Sequence, residues 1–376
     1  MPLAWSVNFI IAKVALSSIL YYITGHGFGH AVRSHQVIRA LLRERGDLRV
    51  HVRTTAPEWL FFNSPVPVAY SRQALDVGII QRDSLKMEIA ETMEACREIQ
   101  ANAVAIIERE LAFISSNGIR LIVGDTPPLC FEIAARAGIP SVSITNFTWD
   151  VIYRAYAEEH RGFAPLINEM TASYGEATLA LALPYPCDTS MFHRCQPIPW
   201  VTRRSSLTKA EARQKFKLPA SATIVLLSFG GIEFNRLPWP ALKRQEEFFF
   251  VGTGDPKQSG GNLRFLSELQ SDYEDLVRAC DAIVSKPGYG IVADVLAHQV
   301  PLLYTDRGEF PEYPRLVAAL SDCATSAYIS QEELLNGDLL PHLARLLNQA
   351  ANWPATDLSG AQVAASEILE LLDQMS

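Results

Sequence analysis

The stretch SSILYYITGHGFGHAVRSHQVIRALLRERG, Ser17 to Gly46, carries an apolar run that stops at three glycines and two histidines and then passes into a helical pattern. Ser17 to Thr24 reads as a buried strand. Val37, Ile38, Leu41 and Leu42 recur at helical spacing, and Gly46 stands where a helix-closing glycine would. Gly25, Gly27 and Gly29 let a backbone come close to a ligand, and His26 and His30 bring imidazoles to the same turn.

Outward from this stretch the same grammar repeats. LRVHVRTT reads as a strand, residues 84–117 as one helical pattern, IRLIVGD as a short buried strand, PLCFEIAARAG as a helix closed by Gly138, and PSVSITN as another strand. Such alternation predicts a parallel sheet covered by helices. Between Leu183 and Pro199 the prolines cluster in LPYPCDTSMFHRCQPIP and the periodicity disappears, which marks a linker. Beyond it the alternation restarts with ATIVLLSFGG, FFFVGTG, YEDLVRAC, DAIVSKPG, YGIVADVLAHQ, VPLLYTD and PRLVAALSD, and the chain closes on the amphipathic GAQVAASEILELLDQ. Two α/β halves therefore follow one another, each with glycines at the carboxyl end of a strand, where open parallel sheets bind ligands.

Composition bounds the function. At 376 residues two domains are expected, and 48% hydrophobic with 20% charged residues suits a soluble globular chain. A net charge of -8 argues against nucleic acid as the main partner. Six scattered cysteines without a C-x-x-C pair suit a reducing, cytoplasmic setting and predict no structural metal site. The apolar NFIIAKVALSSILYYI is interrupted by Lys13 and too short to span a bilayer; residues 1–16 are read as an extension preceding the first strand.

Chemistry concentrates at the glycine turns. In SKPGYGIVADVLAHQVPLL, Gly288 and Gly290 allow close backbone approach, and the helix beginning there points its free N–H groups at the turn, which favours a pyrophosphate. Ser285, Lys286, Pro287 and Tyr289 belong to this turn, and Lys286 adds charge. Asp294, six residues after Gly288, suits ribose hydroxyls, and the SFGG turn with Gly230 and Gly231 adds backbone amides. Asn146, Trp149 and Asp150 in TNFTWD lie past a strand end, as do Asp306, Arg307 and Glu309 in YTDRGEFPEYP. GHGFGH is not G-x-G-x-x-G, and GTGDPKQS has Pro256 where a Walker loop needs glycine. The pair His26 and His30 lacks the glutamate and third ligand of a zinc site.

On Gly288, Asp294 and VPLLYTD the second half resembles the C-terminal domain of GT-B-fold glycosyltransferases, especially the N-acetylglucosaminyl transferase of peptidoglycan synthesis. GHGFGHAVRS resembles the glycine-rich N-terminal loop of the same enzymes, whose closing histidine is a general base or lies beside the acceptor; His30 takes that place. Over most of the chain, YYITGHGFGHAVRS, SITNFTWDVIYRAY and SKPGYGIVADVLAHQVPLLYTDRGEFPEYP are similar to the glycosyltransferase-like N-terminal region of plant L-arabinokinases. No stretch resembles the ATP loop of their kinase part, so sugar kinase activity is not expected.

The resemblance implies an α/β fold of GT-B type, two Rossmann-like doubly wound parallel-sheet domains facing across a cleft. Residues 1–200 would form the acceptor domain and 201–357 the nucleotide-sugar domain, with the helix at 358–376 packing on either. It implies a transferase using a nucleotide-diphosphate sugar, a UDP-sugar, and a hydroxyl acceptor, without cofactor or metal; no D-x-D motif is present. His30 is expected as base with Asp125 as its partner. Gly230, Gly231, Ser285 to Gly290, Asp294, Asp306, Arg307 and Glu309 are expected on the donor, and His26, Gly27, Gly29, Asn146 and Trp149 on the acceptor. Two alternatives stay open: a UDP-sugar 2-epimerase, and a non-catalytic protein that binds a sugar or nucleotide sugar.

Overall fold

The computed structural model describes residues 17–62, 67–81, 87–229, 237, 239–267 and 272–374. Two sheets dominate it. The first contains β1 (Ser18–Ile23), β2 (Arg49–Thr54), β3 (Ala69–Arg72), β4 (Ile119–Asp125), β5 (Ser141–Thr145), β6 (Leu179–Ala182) and β7 (Cys195–Pro197), in the order β3-β2-β1-β4-β5-β6-β7. The second contains β8 (Thr223–Ser228), β9 (Phe248–Thr253), β10 (Leu263–Leu266), β11 (Ala282–Ser285), β12 (Leu302–Tyr304) and β13 (Ser326–Tyr328), in the order β10-β9-β8-β11-β12-β13. Every strand pair is parallel.

The helices are α1 (Phe28–Glu44), α2 (Ile89–Ala101), α3 (Ala103–Asn117), α4 (Leu129–Ala137), α5 (Trp149–Arg154), α6 (Phe163–Gly175), α7 (Lys209–Lys215), α8 (Trp239–Leu242), α9 (Tyr273–Ala279), α10 (Tyr289–His298), α11 (Tyr313–Cys323), α12 (Gln331–Asn336), α13 (Leu339–Asn348) and α14 (Gly360–Asp373). Among the described residues no helix is long and apolar enough to cross a membrane.

β1 is apolar after Ser18 and buried along its whole length because helices cover both faces of its sheet, so its sequence runs SILYYI without alternation. In each sheet the strand order reverses direction beside the first strand, between β1 and β4 and between β8 and β11. These two switch points leave crevices at the carboxyl ends of the strands, and the glycine turns after β1 and β11 open into them.

Three local expectations change. The helical pattern over 84–117 is two helices, because Asn102 leaves the helical region at φ -97°, ψ 0° and caps both; its first residues, through 86, lie outside the described set. Gly46 does not take the left-handed backbone of a closing glycine; α1 is capped by Arg45, whose N–H reaches the Leu41 carbonyl. The proline-rich stretch holds β7, which adds three residues to the edge of the first sheet, too few for a periodic signal.

The chain passes between the halves twice, side by side. Val201 bridges Ser359, and the Gly360 N–H donates to the Trp200 carbonyl at 3.1 Å. A Cβ on Gly360 would fall 2.2 Å from the Pro199 carbonyl oxygen, so only glycine lets the crossings touch. α14 then packs on α1, burying Ala364, Ala365, Ile368 and Leu372.

Candidate functional site

Asp125 is the last residue of β4, in register with Ile23 at the end of β1. The i, i+3, i+4 spacing in α1 sets His30, Arg33 and Ser34 on the one face that meets it. His30 Nδ1 lies 2.9 Å from Asp125 Oδ1. Arg33 donates to both carboxylate oxygens, Nε to Oδ2 at 2.8 Å and Nη2 to Oδ1 at 2.6 Å, and the Ser34 hydroxyl donates to Oδ2 at 2.7 Å. Thr126 follows in a left-handed backbone, φ 88°, with its hydroxyl 3.2 Å from His30 Nδ1 and its carbonyl accepting from the Tyr174 hydroxyl at 2.6 Å. A non-glycine residue held there stores backbone strain, which collects at functional sites.

The charges follow from this packing. Burial alone would raise the Asp125 carboxyl, but the Arg33 cation and the His30 ring outweigh it and hold the group well below the usual carboxylate range. Burial and the Arg33 cation push His30 down, against the pull of Asp125. His30 is therefore a neutral imidazole near pH 7. Among the described residues its polar contacts all use Nδ1, 3.0 Å from Arg33 Nη2 as well as near Asp125 and Thr126. With Nδ1–H donated to the carboxylate, Nε2 keeps the free lone pair, and His30 lines the cleft between the sheets.

From Arg33 a polar chain crosses to the other half. Nη1 donates to Asn146 Oδ1 at 2.6 Å, Asn146 Nδ2 donates to Glu312 Oε1, and Glu312 Oε2 pairs with Arg307. Arg307 Nη1 also donates to the Pro287 carbonyl at 3.2 Å, within the turn after β11. The Arg33 guanidinium lies 5.2 Å from the ring centre of Tyr289, the first residue of α10.

Two helix amino ends meet in the cleft, whose volume is about 1010 Å³. A Cβ on Gly290 would stand 3.6 Å from the Gly29 Cα, so α1 and α10 approach backbone to backbone. Neither helix has a side-chain cap, and neither carries an acidic residue in its first turn. Each amino end presents unpaired N–H groups and roughly half a positive charge. Gly27, the N-cap of α1, sits at φ 72°, ψ 175°, a region essentially reserved for glycine. Gly27→Ala is expected to cost about 1–3 kcal/mol of stability although no atom lies within 4 Å of the added methyl; urea unfolding measures it.

The family model described as glycosyl transferase family 1 matches residues 17–308, from β1 through the Arg307 loop. The chain belongs to glycosyl transferase family 1. This family 1 chain is 29% identical over 367 residues to the L-arabinokinase of Arabidopsis thaliana, covering 93% of its own length and 34% of that protein; it spans about a third of that relative. Among solved structures it is similar to MnaA of S. aureus bound to UDP (14% identity, 95% and 97% of the chains covered, TM-score 0.61). It is similar also to CalG4, the calicheamicin glycosyltransferase (16%, 96% and 95%, TM-score 0.60), and to a UDP-glucosyltransferase from Polygonum tinctorium (10%, 96% and 95%, TM-score 0.59). The fold is GT-B.

Within this family 1 cleft lie His26, Gly27, Gly29, His30, Ser285, Lys286, Pro287, Gly288, Tyr289, Gly290, Asp294 and Arg307. Gly288 has open space beside its Cα, whereas the Ser285 hydroxyl is turned into backbone, onto the Ser228 and Lys286 carbonyls. Tyr289 is walled in: it stacks on Trp200 at 5.0 Å and its hydroxyl accepts from the Val201 N–H at 3.2 Å. Both oxygens of Asp294 are engaged by Arg203, at 3.0 and 2.8 Å, so the hydroxyl-binding carboxylate expected there already has a partner.

Asp306 and Glu309 do not line the cleft; Asp306 accepts from the Tyr328 hydroxyl at 2.9 Å. Asn146 is buried in the cross-cleft chain, and Asp150 is buried against Thr171. Trp149 lines a different cavity, its Nε1 donating to Asp76 at 2.7 Å. Gly230 and Gly231 lie outside the described residues.

His26 is held neutral, pushed down to about 3 by burial and then by the charges of His30, Arg307 and Lys286. Its ring stands edge-on to Trp149 at 5.3 Å, and Nδ1 accepts from the Ile79 N–H. Arg33, Ser34, Thr126, Arg203 and Glu312 escaped the sequence reading. The spacing H-x-x-R-S within one helix was the available signal for the first two.

Proposed function

We propose that this family 1 chain moves a sugar from a nucleoside-diphosphate donor, a UDP-sugar, to a hydroxyl acceptor by single displacement, with inversion at the anomeric carbon. The observation that carries the reading is the convergence of two uncapped, acid-free helix amino ends beside a neutral imidazole. Alone they repel. A diphosphate placed between them satisfies both sets of N–H groups and both dipoles.

The acceptor hydroxyl gives its proton to His30 Nε2 as its oxygen bonds to the anomeric carbon. The bond from that carbon to the phosphate oxygen breaks, and the nucleoside diphosphate leaves with the electron pair. Asp125 steadies the imidazolium that forms, and Arg33 keeps Asp125 ionised. The leaving-group charge grows where the α1 and α10 amides already point, so stabilisation needs no reorganisation and, in this reading, no divalent ion.

A thermal-shift series with UDP, GDP and dTDP, run in EDTA, tests the donor. UDP at about 100 times its dissociation constant should raise the midpoint by about 3 °C, since binding to the folded state alone contributes about 2.7 kcal/mol. Should none of the three move it, the donor assignment fails.

A further inference from the structure

A second cavity of about 660 Å³ lies in the first half, between α2, α4 and α6, and among the described residues shares with the cleft the single lining residue Val77. Its floor is apolar and buried: Leu75, Leu129, Trp149 and Tyr153. Its exposed mouth is acidic, with Glu169 from α6 and Glu176 capping that helix, and the one arginine in its lining, Arg136, is paired with Glu132 at 2.6 Å.

On the floor stands Asp76, a carboxylate that the transfer reaction does not use. It accepts from Trp149 Nε1 at 2.7 Å. No lysine, arginine or histidine pairs with it among the described residues, and the charge it feels is the repulsive one of Asp125. Burial pushes its carboxyl up to about 6, so it is ionised above neutrality at a cost. A carboxylate that lines an apolar chamber with an acidic mouth, without a counter-ion among the described residues, is completed by a cation that arrives with apolar surface attached.

We propose that this cavity binds an apolar amine, its aromatic or alicyclic body filling the chamber and its ammonium group paired with Asp76. The site is independent of the transfer reading and stands or falls apart from it. Calorimetric titration at pH 8 with 4-phenylbutylamine, and with 4-phenylbutan-1-ol as the neutral control, tests it. The amine should bind about tenfold tighter than the alcohol to the unaltered protein, the margin of one charge-assisted contact.

Asp76→Asn keeps an acceptor for Trp149 Nε1 and should bring the two ligands within about twofold of each other. Ala172→Trp, at the exposed mouth, should weaken both ligands alike, which keeps the test alive if the asparagine variant folds poorly. Equal affinity of amine and alcohol overturns the proposal. So does an amine preference that survives Asp76→Asn, which would assign it to the mouth, or displacement of the amine by UDP, which would place it in the cleft.

Discussion

His30→Ala is expected to lower turnover of a UDP-sugar by about 10²- to 10⁴-fold, the usual worth of a positioned general base, while UDP binds as before. The variant should fold. Asp125 loses one contact but keeps two from Arg33 and one from Ser34, so no buried carboxylate is left unpaired. Released UDP measures turnover, and titration with UDP measures binding. In the proposed reading the anion is held by backbone amides of α1 and α10, which the substitution leaves in place. Turnover within about threefold of the unaltered protein would remove His30 from the chemistry; a parallel loss of UDP affinity would mean that the ring holds the donor rather than the proton.

The second large effect belongs to Arg33, and it is felt first in stability. Arg33→Met removes the cation that engages both oxygens of Asp125 and leaves the Asn146 carbonyl without its donor, with every group concerned buried. Breaking one side of a buried ion pair costs about 3–5 kcal/mol, read here as a fall in the urea midpoint. Arg33→Lys should recover only part of it, because a point charge cannot make the forked contact.

The pH profile adds a signature that a merely structural role would not give. His30 is lowered by burial and by Arg33, and it serves as base only above its own pKa. Removing the Arg33 cation removes one lowering cause, so the His30 pKa rises. The acid limb of kcat/KM should therefore move to higher pH in Arg33→Lys, if the ammonium withdraws from the ring, and further in Arg33→Met. A limb that stays fixed or moves down would show that Arg33 does not govern the imidazole.

Much of this was legible in the sequence because covered parallel strands leave a strong mark. SILYYI and IRLIVGD are buried on both faces, so hydrophobicity alone locates β1 and β4, and the glycines after β1 and β11 mark the switch points. Asp125 was paired with His30 as the residue ending a buried strand, and the two side chains lie 2.9 Å apart.

What escaped has physical reasons. β7 and β13 have three residues each, below the length at which any period can be read. Arg203 follows the crossing segment in irregular chain, where no pattern foretells that it reaches Asp294. Glu312 lies in a quoted stretch whose acidic residues look alike; only the fold distinguishes it, at the amino end of α11 facing Asn146, from Asp306 and Glu309. The walling-in of Tyr289 and the placement of Trp149 in another cavity are tertiary facts.

The doubled crossing at Pro199–Val201 and Asp357–Gly360 has a mechanical meaning. Two backbones bonded at one place let the lobes swing as on a hinge pin but resist sliding, and the swing carries the start of α10 along an arc relative to α1. Like poles face each other across that arc. An anion held between them, as in the proposed reading, offsets that repulsion and favours the closed end of the swing.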